Sequence, residues 1–62
     1  MFVSSDLTRL KFNLLKSMPG VYSKLITRLN VEGLTENDIQ DDIKRRRIDG
    51  ILDYFHRKFI LL

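Results

Sequence analysis

The sequence predicts an all-α fold, and three observations carry that expectation. Apolar residues recur three and four positions apart in three successive segments, no stretch alternates apolar and polar residues for longer than a few positions, and the segments are punctuated by Pro19-Gly20 and by Asn30–Gly33. The expected architecture is a short helical hairpin followed by one long or kinked amphipathic helix, three to four helices in all, in a single domain spanning residues 1–62.

The first helix rests on Leu7, Leu10, Leu14, Leu15 and Met18, which form one stripe at helical spacing. Ser4 or Ser5 stands where a cap belongs, and Asp6 suits the positive first turn. Pro19-Gly20 ends this helix, because proline cannot continue the hydrogen-bond ladder and glycine accepts a sharp turn. Tyr22, Leu25, Ile26 and Leu29 then define a second helix that stops at Asn30-Val31-Glu32-Gly33. Thr35, with Asp38 three residues on and Glu36 in the first turn, is the expected N-cap of the last helix. Ile39 and Ile43 are expected to face inward.

The apolar series of that last helix jumps phase at Arg46 and Arg47 and restarts at Ile48, Ile51, Leu52, Phe55, Phe59 and Leu62. A kink near Arg47–Gly50 would explain the jump. An unbroken helix from Thr35 to about Ile60, roughly 39 Å long at 1.5 Å per residue, is the favoured reading. It needs only one interior glycine, at about 1 kcal/mol.

Sixty-two residues without cysteine, with one histidine and with 44% apolar residues describe a small core that has no disulfide to reinforce it. A second chain is therefore expected to complete the bundle, and Ile48, Ile51, Leu52, Phe55, Phe59 and Leu62 are the expected core or interface residues. Consecutive apolar residues at Phe59-Ile60-Leu61-Leu62 cannot all point into one monomeric core. The amino-terminal residues lack both the basic flank and the apolar run of a secretory signal, so the chain is read as complete, intracellular and cytoplasmic, with no membrane span.

Charge is segmented. Residues 1–30 sum to +4, residues 31–43 to −5 and residues 44–62 to +4, giving the net +3. The densest cluster, Lys44-Arg45-Arg46-Arg47, could hold phosphates, anionic lipid or an acidic protein surface. In two antiparallel copies of the last helix, the acidic block of one would lie near this cluster of the other.

The run Leu15-x-x-Met18-Pro19-Gly20-Val21, continued by Ile26 and Leu29, resembles the helix-hairpin-helix motif over residues 15–29. The resemblance implies backbone N–H groups at Gly20 approaching a nucleic-acid phosphate, with Lys24 nearby. It departs at Tyr22, where the motif carries a second glycine. A helix-turn-helix reading fails on charge, since its recognition helix would present Glu36, Asp38, Asp41 and Asp42 to a polyanion.

Catalysis finds little support. His56 sits between Phe55 and Arg57 with no carboxylate placed to orient it, and Asp38, Asp41 and Asp42 lack the spacing of a calcium loop. No catalytic residue, metal or cofactor is expected. The functional expectation is a non-enzymatic regulatory or adaptor module working through self-association and protein binding. The alternative is a small nucleic-acid-binding protein using residues 15–29 and 44–47.

Overall fold

The computed structural model describes residues 4–60. Helix α1 runs Ser4–Lys16, α2 runs Pro19–Val31, a 3₁₀ turn covers Glu36–Gln40, and α3 runs Asp42–Phe59. The fold is all-α, with no strand among the described residues. Its Cα envelope measures 28 × 27 × 16 Å, thin enough that every helix keeps an outward side.

Pro19 is the first residue of α2, where its missing N–H costs nothing and its fixed φ already suits a helix. The chain therefore reverses on Ser17 and Met18, two residues earlier than the sequence suggests. Met18 is extended, as a residue before proline must be, and the Ser17 hydroxyl caps α1 by donating to the Leu14 carbonyl at 2.7 Å. Gly20 belongs to the first turn of α2 and is not a turn glycine. That role falls to Gly33, whose φ of 72° lets the Leu34 N–H reach back to the Leu29 carbonyl at 2.8 Å and turns Leu34 into the core. Ser4 and Ser5 both lie inside α1, so whatever precedes it as a cap lies outside the described residues.

The long helix from Thr35 is not formed. Thr35 and Asp38 do make the carboxylate half of the expected box, with the Thr35 N–H donating to Asp38 Oδ2 at 2.8 Å, but what they start is a 3₁₀ turn. The chain breaks at Asp41, which is extended. Its Oδ1 accepts the N–H groups of Ile43 and Lys44, each at 3.0 Å, and so caps α3. No break occurs at Arg47–Gly50, where α3 is continuous. The separate 3₁₀ turn buries Ile39 while leaving Ile43 77% exposed, contrary to the inward position expected for it.

One core joins all four elements: Phe12 and Leu15 from α1, Leu25 and Leu29 from α2, Leu34 and Ile39 from the connection, and Ile48, Leu52 and Phe55 from α3. The inward face of α1 differs from the expected stripe. Thr8, Phe12 and Leu15 point in, whereas Leu7, Leu10 and Leu14 are 48%, 62% and 47% exposed. Thr8 belongs inside because its hydroxyl donates to Asp49 of α3, satisfying a buried polar group across two helices, while Phe12 meets Tyr22 edge-on at 6.1 Å.

Candidate functional site

The segmented charge of the sequence becomes a set of contacts within one chain. Arg45 is folded back over the break at Asp41, donating to the Ile39 carbonyl at 3.0 Å and to Asp42 at 2.7 Å. Its side chain is only 16% exposed, so it splints the 3₁₀ turn to α3. Lys44 pairs with Asp38 at 3.6 Å, and Arg47 with Glu32 at 2.9 Å, the latter also 3.6 Å from Arg28. Arg46 alone in this cluster has no acid within ion-pair distance among the described residues.

The aspartates of the acidic block are equally committed. Asp41 caps α3, Asp42 holds Arg45, and Asp38 faces both the Thr35 N–H and Lys44. The Thr35 hydrogen bond, followed by the charge of Lys44, holds the Asp38 carboxyl below its ordinary value of 3.8.

At the hairpin, the Tyr22 ring lies against Phe12, and Lys16 sits 5.8 Å from the Tyr22 ring centre. Lys24 is drawn to the opposite side, 5.3 Å from the ring of Phe59. Gly20 is exposed at the start of α2, one helical turn before Lys24, and no contact joins either residue to the cluster at 44–47 among the described residues.

Of the expected core or interface residues, Ile48, Leu52 and Phe55 are buried inside the chain's own core, and Ile51 and Phe59 are half-buried against it. Leu62 lies outside the described residues. Two stretches of the surface left over by this packing stand out. One is the leucine stripe of α1. The other is the outward side of α3, where Ile43, Arg47, Gly50, Tyr54 and Arg57 are all exposed. Beside that side, between α2 and α3, lies an open hollow of about 470 Å³ lined by Arg28, Glu32, Arg47, Gly50, Ile51 and Tyr54. Periodicity alone hid both surfaces: it assigned the leucines to the core, and it passed over a helix side whose apolar residues, Ile43 and Tyr54, are separated by Arg47 and Gly50.

No described helix is long and apolar enough to cross a membrane. Compared with known protein families, with curated proteins and with solved structures, the chain has no match.

Proposed function

We propose that this chain is a small non-enzymatic module of regulatory or adaptor type, acting by self-association and by offering helical surface to a protein partner. The observation that carries the reading is the second apolar stripe of α1. Leu7, Leu10 and Leu14 lie at helical spacing on a side that the core does not use. Apolar surface left in water costs about 25 cal/mol per Å² relative to burial, and a contiguous stripe is the usual mark of an interaction surface. The non-enzymatic part of the reading is supported by how the polar groups are spent: Asp38, Asp41 and Asp42 serve caps and ion pairs, and His56 is half-buried on a helix whose Asp53 pairs with Arg57.

Nucleic-acid binding through residues 15–29 and 44–47 draws less support. Lys44, Arg45 and Arg47 are held by acids of their own chain, and a phosphate would have to displace them.

The test compares native complexes recovered from the protein's own cell with the tagged chain and with its Leu10→Asp variant, alongside duplex and single-stranded DNA titrations at two salt concentrations. Leu10→Asp should melt as the parent does and lose the complexes. Complexes unchanged by the substitution, or DNA binding that falls steeply with salt, would overturn the reading.

A further inference from the structure

We propose that two copies of the chain pair antiparallel through the outward side of α3, about a twofold axis at Gly50. The proposal rests on the self-association part of the reading above and names the surface responsible.

Ile43, Arg47, Gly50, Tyr54 and Arg57 are spaced alternately four and three residues apart, the spacing of a helix–helix seam. They lie opposite Ile48, Leu52 and Phe55, which face the core. The seam is complementary to its own reversal. Turning it about position 50 exchanges Ile43 with Arg57, leaves Gly50 on itself and brings Arg47 to within one residue of the level of the partner's Tyr54. An antiparallel pair therefore brings each Arg47 beside the partner's Tyr54, where exchanging its exposed pairing with Glu32 for the ring gives a favourable cation–aromatic contact. Each Ile43 lies along the aliphatic stem of the partner's Arg57.

Gly50 supplies the second line of argument. Glycine inside a helix costs about 1 kcal/mol relative to alanine, and a Cβ at position 50 would meet nothing within 4 Å in its own chain. Packing within one chain thus gives no reason for glycine there. A close crossing of two helices does, because two Cβ atoms on the axis would hold the backbones apart. The open hollow beside Gly50 leaves this stretch of α3 uncovered by the chain's own α2.

Charge supplies the third. In this arrangement residues on one flank of the seam face the same flank of the partner. Reversal about position 50 brings Arg46, which has no acid within ion-pair distance among the described residues, within one residue of the level of the partner's Asp53, and the symmetry makes that contact twice. Asp53 is accessible for it, with its side chain 48% exposed and only the exposed Arg57 beside it at 3.3 Å. One helix side offers less than the roughly 800 Å² per partner of a standard complex, so the dimer is expected to be weak.

The experiment is sedimentation equilibrium of the full chain from about 10 μM to about 1 mM, with circular dichroism melts confirming that each variant folds. The parent should move from 7.4 kDa toward twice that mass. Arg46→Asp and Asp53→Arg should each weaken pairing about tenfold, and the double variant, which restores opposite charges across the axis, should recover to near the parent value. Gly50→Lys, a better helix former, should fold at least as well and not pair. If the parent dimerises but none of these substitutions matters while Leu10→Asp abolishes pairing, this surface is wrong and self-association stands. If the parent stays at 7.4 kDa at the highest concentration, both fail.

Discussion

Helices α1 and α3 solve the same problem from opposite starting points. Each must give one side to the core and leave another in water. Helix α3 has one continuous apolar side, Ile48-Leu52-Phe55, and its orientation follows from that alone. Helix α1 has two, and the one that goes inside is the less obviously apolar, Thr8-Phe12-Leu15, at the expense of three leucines. What decides is complementarity beyond hydrophobicity. Phe12 fills the space against Tyr22, and the Thr8 hydroxyl finds Asp49, a contact that no leucine could make. Counting apolar residues identifies a face only when one candidate exists.

The strongest way to break this comparison is to cut the side chains each helix gives to the core. Leu52→Ala and Phe12→Ala should each cost about 2–5 kcal/mol, enough to unfold most of a domain this small. Leu10→Ala should change the melt by less than about 0.5 kcal/mol. Chemical denaturation of the three variants at equal concentration is the measurement, and a large loss for Leu10→Ala would mean that the leucine stripe is buried in solution.

The role given to Thr8 predicts the next largest effect. Thr8→Ala removes a buried hydroxyl and leaves Asp49 without its donor, so it should cost about 1–3 kcal/mol. A loss below about 0.5 kcal/mol would mean that Thr8 occupies the core for its size alone.

Much of this was legible in sequence, for identifiable reasons. The all-α class, the hairpin and the end of α2 follow from periodicity and from Pro19 and Gly33, which act through their own backbones. The break at Asp41 was not legible, because Asp38, Asp41 and Asp42 all resemble cap or first-turn acids. Only the burial of Ile39 and the reach of Arg45 back to the Ile39 carbonyl select among them. The segmented charge did not say which acid meets which base, and folding pairs most of the cluster at 44–47 with acids of the same chain. The exposed seam of α3 was invisible to hydrophobic patterning, since Arg47, Gly50 and Arg57 carry no apolar signal.

Two glycines sharpen the contrast between backbone need and surface use. Gly33 has φ 72°, so Gly33→Ala should destabilise by about 1 kcal/mol. Gly50 sits in a regular helix with nothing around its missing side chain, so Gly50→Ala should stabilise an isolated chain by about 1 kcal/mol. Melts at low concentration, where pairing is negligible, would show opposite shifts. A destabilising Gly50→Ala would mean that α3 is not regular there.

The smallest effect is expected at the junction between the 3₁₀ turn and α3, where the link is electrostatic and exposed. Asp38 accepts the Thr35 N–H and lies 3.6 Å from Lys44, and its carboxyl is held below the ordinary value of 3.8. A carboxyl depressed in the folded state binds protons more weakly there than in the unfolded chain. Its contribution is therefore complete above the ordinary value and is lost as pH falls from there through the lower, folded value. Asp38→Asn should melt slightly below the parent at about pH 7, and the difference should shrink as pH falls below the ordinary carboxyl value and through the lower, folded one. Salt should erode it too, because the Lys44 pair is accessible to screening. A difference that persists undiminished in acid would mean that the amide disturbs the turn by its geometry, and that the 3₁₀ segment depends on the shape of its cap more than on the charge.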